Sequence, residues 1–166
     1  MTQPTRTAAI LAAILLATPA PGHEFQLGAL TIGHPFAFET PVTAQTGAGY
    51  LTITNTGTTP DRLLEVRADF PKVEVHTTEM KDGVARMLHV EALEIPPGET
   101  VTLAPGGFHV MFMGLRGDPF EIGEEISATL VFETAGTLDV VFNVEARPVG
   151  GAPAMDHSNH GAPATN

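Results

Sequence analysis

The sequence contains no cysteine and no tryptophan, and only one tyrosine, among its 166 residues. The absence of cysteine excludes disulfides, zinc–thiolate sites and cysteine nucleophiles within this sequence. A soft metal ion would have to use methionine, of which the sequence has six. A thioether needs no deprotonation to bind a metal and cannot be consumed by disulfide formation, so it suits an oxidising compartment.

Basic residues are also scarce. Eight lysines and arginines stand against 19 aspartates and glutamates, and the formal net charge is −11. This balance argues against nucleic acid as a partner, because the phosphate backbone requires positive charge on the protein. The negative potential favours cations and basic protein surfaces instead.

The first 22 residues are typical of a secretory signal peptide. Arg6 precedes an uninterrupted apolar run over residues 8–17, and small and turn-forming residues follow it. This run is about half as long as the ~20 residues that span a bilayer as a helix. We therefore expect export to the periplasm, with cleavage after Ala20 or Gly22 and no membrane insertion afterwards. An uncleaved membrane anchor is the alternative.

Residues 23–147 predict a single all-β domain. Short β-rich runs alternate with turns rich in Gly, Pro, Asn and Asp, which is typical of a sandwich or barrel. The turn at Asp82-Gly83 predicts that the runs on either side of it pair as a hairpin. The clearest runs cover residues 30–32, 49–54, 63–68, 72–76, 85–90, 100–103, 109–113, 125–132 and 138–146.

Side-chain alternation separates certain His and Met residues from the apolar positions. In the run at residues 109–113, His109 and Met111 oppose the face that carries the valine and phenylalanine. In their own runs, His76 and Met87 likewise alternate onto the face opposite the aliphatic side chains. Taken singly, such a Met is more often core filler. If the runs converge, however, two imidazoles and two thioethers would suit Cu(I), a soft d¹⁰ ion, whereas a blue-copper site would need a cysteine.

The spacing of these four residues resembles the signature of the PCuAC family of periplasmic copper chaperones. Ten residues separate His76 from Met87, 21 separate Met87 from His109, and one separates His109 from Met111, which matches H-x10-M-x21-H-x-M. The segments at residues 47–57, 76–80 and 103–115 are also similar to that family. The similarity covers residues 23–147.

The resemblance implies a cupredoxin-like β-sandwich that binds Cu(I) through His76, Met87, His109 and Met111. It also implies a chaperone rather than an enzyme, one that supplies copper to cytochrome oxidase assembly. The expected partners are an oxidase subunit and a Sco-type thiol protein. An exposed, shallow site would let their ligands displace the four side chains one at a time. Three residues outside the signature are expected not to be ligands, with Met80 the first substitute: Met80, His89 and Met113.

Both ends of the chain carry further candidate ligands. Residues 148–166 have almost nothing to bury and predict a flexible tail. Within it, Met155, His157 and His160 form a candidate site for a second copper as Cu(II), which prefers nitrogen and oxygen ligands. Incidental histidines in a solvated tail are the alternative. His23 is a conjectural ligand, because cleavage would place it at or near the amino terminus.

The sequence is also compatible with three other functions. Copper storage or tolerance without a dedicated recipient is the main alternative to delivery. An oxidative copper enzyme that uses His23 as an amino-terminal brace is disfavoured, because the lone Tyr50 and the absence of tryptophan leave little aromatic surface for a substrate. A structural β-sandwich without a metal would leave the off-phase His and Met residues unexplained.

Overall fold

The structure is a computed structural model, and it describes residues 24–148. The predicted signal peptide, His23 and almost all of the predicted tail, including its three candidate ligands, lie outside this range. The domain boundaries inferred from composition therefore stay predictions.

Eleven β-strands account for the regular structure of residues 24–148, and no helix occurs in that range. The predicted all-β architecture is confirmed, and no described segment is a helix that could cross a membrane. The strands are β1 (Glu24–Leu27), β2 (Leu30–Phe38), β3 (Thr46–Asn55), β4 (Asp61–Ala68), β5 (Lys72–Lys81), β6 (Val84–His89), β7 (Leu93–Ile95), β8 (Thr100–Leu103), β9 (His109–Met113), β10 (Glu125–Phe132) and β11 (Thr137–Glu145).

Nine of these strands overlap predicted runs, and β8, β9 and β10 have the predicted bounds, whereas β2 and β5 continue six and five residues beyond the predicted ends. Two strands, β1 and β7, are absent from the prediction. They have four and three residues, respectively. Such short segments cannot establish an alternating pattern, and they become strands only because β2 and β4 offer hydrogen-bonding edges.

The strands form one hydrogen-bonded network in the order β6-β5-β9-β3-β2-β11-β10-β4-β7, with β1 beside β2 and β8 beside β3. The network curls, so that β3 and β7 meet although they are far apart in this order. Buried Asn55 ties them together, because its side-chain amide donates to the Ile95 carbonyl at 3.1 Å. The apolar core lies inside the curl, and its largest fully buried side chains include Phe112, Phe142, Ile32 and Leu51.

The predicted hairpin of β5 and β6 is confirmed. Asp82 and Gly83 both have positive φ, 54° and 78°. Positive φ at both central residues is typical of the two-residue turn whose twist matches that of the flanking strands. Lys81 pairs with Val84 across the turn, and this pairing fixes the register of the whole hairpin.

Asp61 holds the far end of the sheet together, and its removal should destabilise the fold. The buried carboxylate accepts hydrogen bonds from the backbone N–H groups of Arg62, Thr134 and Ala135 at 2.7–2.9 Å. Asp61→Ala would leave these donors without their carboxylate acceptor, so we expect the free energy of unfolding to fall by about 2–4 kcal/mol in urea denaturation.

The matched control for this experiment is Asp139→Ala. The Asp139 carboxylate is exposed and accepts a hydrogen bond from one side chain, the Thr129 hydroxyl. Its loss should change stability by no more than about 0.5 kcal/mol. Equal effects of the two substitutions would contradict the role assigned to Asp61.

Candidate metal centre

Three adjacent strands align one histidine each in a row across the sheet. His76 on β5 lies directly opposite His89 on β6 and, on its other side, opposite His109 on β9. Residues directly opposite each other in a sheet point to the same face. The centroid of the His76 ring is accordingly 5.9 Å from that of the His89 ring and 6.1 Å from that of the His109 ring.

The two signature methionines share this face, on opposite sides of the histidine row. Met87 lies opposite Thr78, and Met111 lies opposite Glu74. Met87, His109 and Met111 all line one open cavity of about 260 Å³. The structure thus brings three of the four predicted ligands to a common cavity and places the fourth, His76, beside His109.

Burial differs sharply among the predicted ligands. His109 is 5% exposed and the His76 side chain 14%, whereas Met87 is 59% exposed. The expectation of a shallow, exposed site therefore fits the thioether on the edge hairpin and does not fit the imidazoles. His76 and His109 lie largely below the protein surface, whereas the Met87 side chain faces solvent.

Hydrogen bonds fix which nitrogen of each buried ring carries the proton. Nδ1 of His109 lies 3.0 Å from the Gly107 carbonyl oxygen. Because a carbonyl oxygen can only accept, Nδ1 must donate, and the lone pair of the neutral ring is on Nε2. Nε2 of His76 lies 3.0 Å from a Glu74 carboxylate oxygen, so by the same reasoning the lone pair of His76 is on Nδ1.

These two lone-pair nitrogens are the buried side-chain atoms without a hydrogen-bond partner among the residues that the structure describes: His76 Nδ1 and His109 Nε2. A buried acceptor without a partner normally costs stability. The pattern is the one found in metal-binding histidines, which donate their other N–H to a carboxylate or a backbone carbonyl. The donor chemistry of the site therefore fits a metal ion.

Glu74 organises the charge beside the histidine row. It accepts hydrogen bonds from His76 and from Lys72, whose Nζ lies 2.9 Å away, and these contacts lower the pKa of Glu74 to about 2. It is therefore ionised at neutral pH. Sequence reasoning did not select Glu74 as a functional residue. The signal in the sequence is that Glu74 stands two residues before His76, so strand alternation places both side chains on the same face, away from the core.

The residues expected not to be ligands lie outside the cavity. Met80 is exposed near the hairpin turn, opposite Ala85, and Met113 lies opposite Lys72 at the other end of β9. Neither lines the cavity. His89 belongs to the histidine row but is on the side away from His109.

Comparisons with known proteins agree with the sequence resemblance. A family model described as "Putative lipoprotein LpqE-like" matches residues 30–144. A curated relative, "Putative lipoprotein Lxx21020" from Leifsonia xyli, is 40% identical over 74 residues. That match spans 44% of this chain and 44% of the relative.

Solved structures are similar over most of the described domain. The copper-bound PCuAC domain from PmoF2 has 32% identity and a TM-score of 0.63, with coverage of 75% of this chain and 99% of that domain. The Cu(I) form of DR1885 from Deinococcus radiodurans has 29% identity and a TM-score of 0.56, with coverage of 74% and 80%.

The hydrogen-bond pattern predicts opposite tautomers for two of the histidines. In the metal-free protein at pH 7.5, we expect His109 to carry its proton on Nδ1 and His76 on Nε2, because each must donate to its acceptor. Long-range ¹H–¹⁵N correlation spectra of the imidazole rings distinguish the two forms. Exposed His34 is the internal reference. An Nε2-protonated His109 would contradict the assigned lone pair.

Proposed function

The chain belongs to the LpqE-like family of PCuAC-type domains, and on this premise we propose that it is a periplasmic copper chaperone. It binds one Cu(I) through His76, Met87, His109 and Met111. It then delivers the ion to a respiratory oxidase during assembly of the oxidase copper site. Copper is the cargo of this protein, which performs no chemical conversion and is not an enzyme.

The observation that carries this proposal is the pair of unpartnered imidazole nitrogens, His76 Nδ1 and His109 Nε2. Both atoms are buried; His109 lines the cavity that Met87 and Met111 also line, and the His76 ring lies next to it, 6.1 Å from the His109 ring between centroids. Neutral nitrogen and thioether donors without a thiolate or carboxylate suit the soft Cu(I) ion better than Zn²⁺ or Cu(II). The copper-bound relatives support the same assignment.

The gradient of burial across the site supports transfer. Met87 is on the edge strand β6 and is largely exposed, so a ligand of the acceptor can replace it without any rearrangement of the core. Met111 follows, and the buried imidazoles release the ion last. Ligand exchange of this kind moves Cu(I) directly between proteins, so that the ion is never free in solution.

The acceptor is a protein with copper ligands at its surface. An oxidase subunit or a Sco-type thiol protein fits this requirement. The excess of acidic residues on this chain favours an acceptor whose docking surface is basic. A single ion held beside an exposed thioether favours delivery over storage, since storage benefits from many ions and slow release.

Export places the protein where this acceptor is found. The proposed signal peptide covers residues 1–22 or 1–20, and the periplasm is the proposed destination. The tail residues Met155, His157 and His160 stay a proposed second copper site, and His23 stays a conjectural ligand.

Cu(I) titration against a chromophoric chelator under anaerobic conditions tests the binding site. We expect the wild type to hold one equivalent. Met87→Ala/Met111→Ala should weaken Cu(I) binding at least ~100-fold, because it removes both soft donors and leaves two imidazoles.

The matched control is Met80→Ala/Met113→Ala, which also removes two thioethers from the same sheet face but leaves the cavity lining intact. This variant should bind Cu(I) like the wild type. Equal Cu(I) affinities of the two double variants would contradict the assigned ligand set.

The delivery step is tested by the kinetics of transfer to a copper-free soluble domain of an oxidase subunit. If acceptor ligands enter while the chaperone still holds the ion, the transfer rate should rise with acceptor concentration. A rate that equals spontaneous Cu(I) release and does not depend on the acceptor would favour storage instead.

A further inference from the structure

Glu74, His76 and His89 form a second cluster of metal-binding side chains, on strands β5 and β6. One ligand atom from each of the three residues lies within 4.8 Å of the other two. Glu74 oxygens are 3.0 Å from Nε2 of His76 and 3.9 Å from Nδ1 of His89. Neither Glu74 nor His89 belongs to the four-residue signature.

The spacing of these atoms suits a single ion. Imidazole nitrogens and carboxylate oxygens bind first-row divalent metals at about 2.0–2.2 Å. The ligand atoms around such an ion are therefore about 3–4 Å apart, and the distances from Glu74 oxygens to the two imidazole nitrogens fall in this range.

The chemistry of the cluster differs from that of the cavity beside it. It offers two nitrogens and a carboxylate and no sulfur, a set that suits divalent ions, and among these Cu(II) has the highest affinity for such donors. We propose that Glu74, His76 and His89 form a Cu(II) site that shares His76 with the proposed Cu(I) site.

Sharing His76 makes the two sites mutually exclusive, a consequence that rests on the proposed function. A neutral imidazole has one lone pair. Binding of Cu(I) through Nδ1 requires the proton on Nε2, where it is donated to Glu74. Binding of Cu(II) through Nε2 requires that this proton leave to solvent and that Nδ1 take one up. His76 therefore serves one copper ion at a time, and which site is filled depends on the oxidation state.

The surroundings of the cluster affect access and strength. His89 is 48% exposed at the end of edge strand β6, so an ion reaches the cluster from solvent without passing through the cavity. Lys72 opposes binding, because its ammonium group pairs with Glu74 and repels a divalent cation. Removal of Lys72 should therefore strengthen the site.

The test uses the full chain with His23, His157 and His160 replaced by alanine, so that the terminal histidines do not compete. Calorimetry gives the Cu(II) affinity, and electron paramagnetic resonance reports nitrogen ligation. We expect one Cu(II) with nitrogen hyperfine structure. His89→Ala should weaken it at least tenfold, Lys72→Met should tighten it several-fold, and the exposed-histidine control His34→Ala should leave it unchanged. No Cu(II) binding, or equal binding with and without His89, overturns the proposal.

Two further arms separate this proposal from the proposed function. His89→Ala should leave Cu(I) affinity unchanged, whereas Met87→Ala/Met111→Ala should lose Cu(I) and keep Cu(II). If Met87→Ala/Met111→Ala keeps its Cu(I) affinity while the Cu(II) results come out as expected, the chaperone site is refuted and the Cu(II) site stands. Preloading with Ag(I), a redox-stable substitute for Cu(I), should reduce Cu(II) binding at the cluster. Simultaneous binding of both ions would overturn mutual exclusivity.

Discussion

The register of β5 against its two neighbours determines which side chains meet at the candidate metal centre. His76 aligns with His89 on one side and with His109 on the other. A shift of one residue in either pairing would turn the partner histidine to the opposite face, because side chains alternate strictly along a strand. The short turn at Asp82-Gly83 and the apolar packing of Val110 and Phe112 in the core oppose such a shift.

Hydrogen bonds then orient the rings of His76 and His109, so that the lone pair of each ring points into the site. The Gly107 carbonyl and the Glu74 carboxylate each accept an N–H, so each ring turns its lone pair into the buried part of the site. The fold thereby tolerates two unpartnered acceptor atoms, at a cost that a bound ion would remove. Such a site is preorganised for a metal ion, since the rings would need little reorientation on binding.

Under the proposed function, the same surface has to meet two opposing demands. Strong binding requires fixed, desolvated donors, and the buried imidazoles supply them. Release requires a donor that a partner can reach, and Met87 on the exposed edge hairpin supplies it. The Glu74 cluster adds harder donors next to the soft ones, so with the proposed Cu(II) site neighbouring positions of one sheet face would suit different oxidation states of copper.

The sequence by itself determined the fold class, most of the strands, the hairpin turn and the type of donor available. These properties follow from local rules: alternation within a strand, the backbone preferences of Asp82-Gly83, and the absence of cysteine. The tertiary structure alone decided four other features: the curl of the sheet at Asn55, the burial of His109, the nitrogen that carries the lone pair in each ring, and the contact of Glu74 with His89. They depend on register and on contacts between residues far apart in the chain, which no local pattern encodes. His89 shows the difference well, since its phase placed it on the right face but only the pairing with β5 placed it beside Glu74.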